Sequence, residues 1–138
     1  MKSVICSIAG GFGSAIAYIF GGWDASIITL LIFMGIDYIT GLIVAGVFHK
    51  SNKTESGALE SRAGWKGLIK KCVTFLFVII AVRLDILIGE NYIRDAVCIA
   101  FIVNELISIV ENAGLMGLPI PAVITKAIDI LKPKGEGQ

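Results

Sequence analysis

The sequence has little charge. Charged side chains make up 17% of its 138 residues and hydrophobic residues 56%, whereas a soluble domain usually carries about 25% charged residues. So few charged groups cannot cover a globular surface, and the apolar runs lack the polar faces that helices of a soluble bundle need. We therefore expect lipid to face much of the chain. The net charge of +1 also argues against a nucleic-acid-binding protein, which needs many cations to neutralise phosphates.

The sequence also lacks the residues of a catalytic or metal centre. His49 is the single histidine, and it has no neighbouring nucleophile or metal ligand. The three cysteines lie far apart, which predicts buried thiols and neither a disulfide framework nor a zinc site. The fragment Gly10-Gly11-Phe12-Gly13 lacks the spacing of a dinucleotide-binding loop. We expect no enzymatic activity, no cofactor and no metal.

Four apolar segments dominate the sequence, at about residues 4–22, 26–48, 72–89 and 96–113. A helix needs about 20 residues to cross the hydrocarbon core of a bilayer, and each segment approaches or exceeds that length. The sequence predicts an all-α, polytopic membrane protein in a single domain of residues 1–138, with three or four transmembrane helices. An alternative for the first segment is a cleaved signal peptide, because Lys2 precedes it and Ala15-Ile16-Ala17 resembles a cleavage site.

The positions of lysine and arginine favour four spans. Basic residues concentrate between the second and third apolar segments and in the tail, while the other side has only Arg94. Cytoplasmic segments are enriched in basic residues, so four spans place every basic segment and both termini in the cytoplasm, whereas three spans leave one outside. The cytoplasmic set then consists of Lys2, Lys50, Lys53, Arg62, Lys66, Lys70, Lys71, Lys126, Lys132 and Lys134.

The tail predicts a separate short helix. Pro119 and Pro121 interrupt the preceding helix, because proline removes a backbone donor and fixes the chain. Residues 122–132 then place apolar and charged side chains on opposite sides at helical spacing. We expect an amphipathic helix on the inner leaflet, with a solvated cytoplasmic helix as the alternative. Its apolar side consists of Ile124, Ala127, Ile128 and Leu131, and its charged side of Lys126, Asp129 and Lys132.

Small residues recur every four positions in the first segment. They lie on one ridge that lets another helix approach closely, either within the chain or in a second subunit, and they are Ala9, Gly13, Ala17 and Gly21. In the second segment Gly41 and Ala45 share a face with Asp37, so a partner can come close to that carboxylate.

Polar residues at membrane depth are the candidate functional residues: Asp37, Arg83, Asp85, Asn104 and Glu105. Each central charge costs about 2.5–3.5 kcal/mol on insertion-based scales, so an idle one is not expected. Asp37 lies 11 residues before Phe48 and Arg83 lies 11 residues after Cys72, which predicts similar depths and an ion pair. That pair either fixes helix register or faces water after the helices rearrange.

The other polar residues have less certain partners. Asp85 lies near the external boundary, either solvated or facing a polar seam between helices. Glu105 and its neighbour Asn104 lie nearer the cytoplasmic side, without an obvious basic partner. All five residues are candidates for the lining of a water-filled path.

Three short stretches give the chain a family resemblance. They are Asp37-Tyr38-Ile39-Thr40-Gly41, then Ser61, Gly64, Gly67, Lys70 and Lys71, and finally Asn104-Glu105-Leu106-Ile107-Ser108-Ile109-Val110-Glu111-Asn112 with Gly117-Leu118-Pro119-Ile120-Pro121. In order and spacing, over residues 26–132, the chain resembles the phage-lysis and toxin-secretion holin family of Gram-positive bacteria and their phages. That family includes the clostridial toxin-release holin.

The resemblance implies a membrane-permeabilising function. Holins are small proteins of the bacterial cytoplasmic membrane that accumulate and then form homo-oligomers, which open lesions in the bilayer. The lesion releases an endolysin or, in some relatives, a secreted toxin. Without the resemblance, the residues also fit a small ion channel, a proton-coupled transporter or an accessory subunit of a larger membrane complex.

Overall fold

The computed structural model describes residues 1–132 as five helices, with no strand in that range. The helices are α1 (Lys2–Ile19), α2 (Ala25–Gly46), α3 (Ser61–Ile88), α4 (Ile93–Leu115) and α5 (Ala122–Leu131). The predicted all-α class is confirmed for these residues. Residues 133–138, which include Lys134 of the basic tail, lie outside the described part of the chain.

Two of the helices, α1 and α2, are long and apolar enough to cross a membrane. With 28 and 23 residues, α3 and α4 exceed the required length of about 20 residues, but their sequences contain more charged side chains. Many large apolar side chains remain exposed on the outside of the helices, among them Ile8, Phe12, Leu76 and Leu87. This surface fits a membrane protein, and the number of spans stays a prediction.

Helices α2, α3 and α4 form a bundle in which α4 packs along both of the others. The apolar core lies in the half of the bundle near the α1–α2 and α3–α4 turns, which we call the turn side. The opposite end, where the α2–α3 loop lies, is the loop side. The core consists of Ile27, Leu30, Met34, Val78, Cys98 and Ile102, with Phe20 and Phe75 packed edge to face beside it at 5.8 Å between ring centroids.

The first and last helices contribute little to this bundle. None of the residues of α1 is buried, and a Cβ atom added at Gly10, Gly11 or Gly13 would meet no atom within 4 Å. Helix α5 packs on α4 and buries Ile128, while Lys126 and Asp129 are exposed. The predicted tail helix therefore exists, and its position on a membrane surface stays a prediction.

Two helix ends differ from the ends of the predicted apolar segments. Helix α3 begins at Ser61 and not near residue 72, because lysine and arginine are good helix formers and the basic stretch continues the helix. Helix α1 ends at Ile19, and Gly21 follows it in the left-handed region at φ 77°. The ridge of small residues on α1 therefore ends at Ala17, and Gly21 belongs to the turn.

Arg94, in the first turn of α4, contacts the turn between α1 and α2. Its guanidinium donates to the Asp24 carboxylate at 2.5 Å, to Asp95 at 3.1 Å, and to the backbone oxygens of Phe20 at 2.8 Å and Gly22 at 3.1 Å. Although charged, Arg94 is only 6% exposed. One side chain of α4 therefore holds the connection between α1 and α2 in place.

The environment of Arg94 explains two predicted site residues. A Cβ on Gly21 would lie 3.2 Å from Arg94 Nε, so a larger residue there would displace the guanidinium. Asp85 is buried, and its carboxylate accepts the backbone N–H groups of Ile93 at 3.0 Å and Arg94 at 2.9 Å. Asp85 thus caps the first turn of α4, and the interpretation that it is simply solvated is wrong.

The hydrogen bond from Arg94 is the largest cause that lowers the pKa of the Asp24 carboxyl from its ordinary value. A carboxyl whose pKa is lowered by folding contributes stability above its ordinary pKa. That contribution is lost as the pH falls through the lowered value. The contact between Arg94 and Asp24 is therefore complete at neutral pH.

We expect Arg94→Met to lower the free energy of unfolding at neutral pH by about 1–3 kcal/mol, because it leaves buried acceptors without donors. Arg83→Met is the matched control, since Arg83 is exposed and forms no ion pair among residues 1–132. Denaturant titration of the purified full-length protein in detergent micelles measures both. Equal losses in the two variants would contradict the structural role of Arg94.

Candidate functional site

A buried cluster of charges lies between the three bundle helices. Lys71 Nζ of α3 lies 2.7 Å from Asp37 Oδ2 of α2 and 2.7 Å from Glu105 Oε2 of α4. The side chains are 13%, 7% and 8% exposed, respectively. One ammonium group therefore links all three helices of the bundle.

The three residues meet because they lie at the same depth. Asp37 lies nine residues before the end of α2, Lys71 ten residues after the start of α3, and Glu105 ten residues before the end of α4. At 1.5 Å per residue these positions are about 14–15 Å from the loop-side ends of their helices. In a bundle with antiparallel neighbours, that register brings the three side chains together.

Asn112 extends the cluster towards the loop side. Its Nδ2 donates to Asp37 Oδ1 at 3.1 Å, to the Asp37 backbone oxygen at 3.3 Å and to Thr40 Oγ1 at 2.9 Å. Gly41 faces the same amide, and a Cβ there would lie 3.8 Å from it. Within residues 1–132 every buried side-chain nitrogen or oxygen has a hydrogen-bond partner, so the interior polar groups form a satisfied network.

A cavity of about 220 Å³ leads from the loop side to this cluster. Its inner end is formed by Asp37, Lys71 and Glu105, and its outer part includes the exposed loop residue Lys53. Small residues make room for it, with Gly64 near Tyr38, whose hydroxyl donates to the Gly64 backbone oxygen at 3.4 Å. The charged groups are therefore largely buried but reachable from the loop side.

The chemistry of this site is binding and charge compensation. Within residues 1–132 no group of three or more histidine, cysteine or acidic side chains is arranged to hold a metal ion. The cluster contains no nucleophile beside a general base, which acyl or phosphoryl transfer would require. Its evident effect is to hold two carboxyl groups in the interior of the bundle.

The predicted ion pair between Asp37 and Arg83 is wrong. Asp37 pairs with Lys71, and Arg83 lies on the exposed side of α3. The depth of Arg83 was counted from the apolar segment that starts at Cys72, but α3 begins at Ser61. Counted from the true helix end, Lys71 matches the depth of Asp37, and Arg83 lies three turns further towards the turn side.

Of the remaining predicted residues, only Glu105 lies in the buried cluster. Glu105 belongs to the cluster, whereas its neighbour Asn104 is exposed and lies at the cavity. Ala45 is buried, while Ala9 is exposed and Ala17 is half-buried. The proposed lining of a water-filled path by these polar residues stays a prediction.

Sequence reasoning missed two residues of the cluster, Lys71 and Asn112. Lys71 was assigned to a basic loop that sets topology, although it lies inside a helix. A signal was present, since both residues occur in the stretches that carry the family resemblance. Those stretches are separate in sequence, and the structure brings Asp37, Lys71, Glu105 and Asn112 together.

We expect Lys71→Met to lower the free energy of unfolding by about 3–5 kcal/mol, because removal of one partner leaves buried charge uncompensated. The matched control is Lys70→Met, which changes an exposed neighbour and should stay within about 0.5 kcal/mol of the wild type. Unfolding of the full-length protein in detergent micelles measures the difference. If both variants are equally stable, Lys71 does not hold the bundle together.

A family model and several relatives match this chain. The model of the bacteriophage holin family matches residues 14–133. An uncharacterised protein of Halalkalibacterium halodurans is 38% identical over 138 residues, which cover 96% of this chain and 96% of that protein. An uncharacterised protein of Listeria innocua is 38% identical over 125 residues, covering 90% of this chain and 84% of its own length.

A phage protein is among the relatives. A protein of Bacillus phage phi105 named "Probable holin" is 35% identical over 118 residues, which cover 84% of this chain and 80% of that protein. No solved structure matches this chain. The resemblance predicted from the short stretches is confirmed, and because the family model covers most of its length, the chain belongs to the bacteriophage holin family.

Proposed function

We propose that this chain is a pore-forming holin that assembles with copies of itself in the bacterial cytoplasmic membrane and permeabilises it. The lesion lets an endolysin, or a secreted toxin, leave the cytoplasm. Membership of the holin family carries this proposal. The protein then acts by assembly in the bilayer and without catalysis, with lipid and other copies of itself as its direct partners.

We further propose that α1 to α4 all cross the membrane, with the loop side and both termini in the cytoplasm. Helices α3 and α4 are long enough for this. The cluster supports it, because Lys71 compensates carboxyl groups at a depth where isolated charges are costly. The basic residues of the loop side favour the cytoplasm, where α5 would lie on the inner leaflet.

Single cysteines test this topology. In a variant without Cys6, Cys72 and Cys98, we introduce Ser56→Cys in the loop or Asn91→Cys in the α3–α4 turn, both at exposed positions. Before lysis, a membrane-impermeant maleimide should label Asn91→Cys in intact cells and not Ser56→Cys. Both should react in broken membranes, and labelling of Ser56→Cys in intact cells would contradict the orientation.

The surface of α1 supports the assembly step. The helix has no fully buried residue, so most of its surface remains available to another copy of the chain. Its ridge of Ala9, Gly13 and Ala17 permits close helix approach in lipid. Two polar groups that are exposed on the single chain, Arg83 and Asn104, would find water or a neighbouring copy in the assembled lesion. Asp37, Asp85 and Glu105 are the further candidates for its lining.

A pair of glycine variants tests the proposed function. We expect Gly13→Leu to delay or abolish lysis, because it places a large side chain on the ridge, whereas Gly11→Leu on the opposite side of α1 should lyse at the wild-type time. At both positions an added Cβ would meet no atom of the same chain within 4 Å, and the helix content of each variant in detergent micelles checks that both fold. Lysis is followed as loss of viability after induction in a bacterium.

Release of protein decides between the proposal and its alternatives. With a co-expressed endolysin, wild-type induction should cause abrupt loss of viability and escape of a cytoplasmic marker protein. Equal behaviour of Gly11→Leu and Gly13→Leu would contradict assembly through the ridge. No release of the marker in the wild type would contradict a protein-sized lesion.

The second candidate is a small ion channel or proton-coupled transporter. The cavity that ends at buried carboxyl groups favours it. Selective ion flux into vesicles, without leakage of protein, would support this function. Absence of both flux and lysis would leave the role of an accessory subunit in a larger membrane complex.

A further inference from the structure

The buried cluster contains two carboxyl groups and one ammonium group. Asp37 and Glu105 are each 6% exposed, and among residues 1–132 their only ion-pair partner is Lys71. If both carboxyl groups are ionised, the interior of the bundle has a net negative charge. Within the described residues, no other cation forms an ion pair with them to remove that charge.

The surrounding elements supply no compensation. The cavity lining includes Lys53 and Glu60 from the loop and Lys70 from α3, and these three side chains are exposed. On α4 the next acid, Glu111, is exposed, and on α5 Lys126, Asp129 and Lys132 are exposed as well. None of these groups forms an ion pair with Asp37 or Glu105, so the imbalance is confined to the three clustered residues.

A proton is the simplest compensation. An isolated charge in a low-dielectric interior costs far more than neutralising the group, and of two carboxyl groups that share one site, one ordinarily keeps a proton. Two carboxyl oxygens at 2.7 Å from the same nitrogen cannot be further apart than the sum of those distances. The two groups therefore act as one coupled acid.

Hydrogen bonds indicate which group is neutral. The carboxylate of Asp37 accepts from Lys71 Nζ and from Asn112 Nδ2, whereas Glu105 accepts only from Lys71 among residues 1–132. Donors stabilise the ionised form of a carboxyl group. The arrangement therefore favours the carboxylate at Asp37 and the carboxylic acid at Glu105.

The cavity provides a path for exchange. It has a volume of about 220 Å³, which holds several water molecules at about 30 Å³ each. Both Glu105 and Asp37 line it together with exposed loop residues. The cavity thus connects the cluster with the loop side.

We infer that the Asp37–Lys71–Glu105 cluster is a binding site for one exchangeable proton, held on Glu105 and exchanged through the loop-side cavity. The proton makes the cluster neutral, with one ammonium and one carboxylate. This site belongs to the folded single chain and exists whether or not the chain forms lesions, so the lysis experiment and the test below can fail independently.

Infrared spectroscopy of the full-length protein in lipid vesicles tests the site. At neutral pH the wild type should show the carbonyl stretch of a carboxylic acid, and transfer to D₂O should shift it, which identifies an exchangeable proton. Glu105→Gln should remove the band, because its amide resembles the neutral acid but holds no titratable proton. The matched control Glu111→Gln, an exposed position on the same helix, should retain it.

Isotope labelling of the wild type assigns the band without a variant. The test therefore remains possible if Glu105→Gln does not fold. ¹³C at the glutamate side-chain carboxyl should shift the band, whereas ¹³C at aspartate should leave it in place. A wild type without the band at neutral pH would overturn the proposal. So would a band that shifts with labelled aspartate or that survives in Glu105→Gln.

Stability gives a second readout with a defined sign. A fold that binds one more proton than its unfolded chain loses stability as the pH rises. Where the difference is one proton, the ratio of folded to unfolded protein falls about tenfold per pH unit. We expect this slope from weakly acid to neutral pH in wild type and Glu111→Gln, and its loss in Glu105→Gln. An unchanged slope in Glu105→Gln would contradict the site.

Discussion

The structure depends on one ammonium group that two carboxyl groups share. Lys71 can reach Asp37 and Glu105 only if α2, α3 and α4 present them at one depth, which fixes the register of all three helices. Close approach is possible because Gly41 and Gly64 leave space for side chains of neighbouring helices. A shift of one residue along any helix axis moves a charge by about 1.5 Å and rotates it by about a quarter turn, so the cluster selects a single packing.

Different interactions stabilise the two ends of the bundle. On the turn side Arg94 binds the Asp24 carboxylate and two backbone oxygens of the α1–α2 turn, and the apolar core packs directly beneath. On the loop side the Lys71 cluster and Asn112 replace apolar packing with a polar network. Helix α1 is held through its following turn and contributes no buried residue. The structure therefore consists of a bundle of α2, α3 and α4 and a helix α1 that has no fully buried residue.

Much of this fold is readable in the sequence, because long apolar segments and prolines determine where helices lie and end. Of the cluster, the sequence predicts Asp37 and Glu105 but not Lys71 and Asn112. The cost of charge in a membrane correctly indicates that Asp37 has a partner, but the choice of Arg83 assumed that a helix starts where hydrophobicity starts. Lysine favours helix and its long side chain reaches from a boundary into the interior. Depth must therefore be counted from the true helix end, which composition does not reveal.

The free helix and the fixed body imply an order of events in assembly. To open the cluster separates a buried ammonium from its partners, which costs about 3–5 kcal/mol. Association of two α1 helices leaves the packing of α2, α3 and α4 intact, since α1 contributes no fully buried residue. In the proposed assembly, association through α1 therefore comes first, while Asp37, Lys71 and Glu105 stay together. Separation of these three side chains from one another requires an assembled state whose new contacts exceed that cost, which makes the proposed transition cooperative in the number of copies.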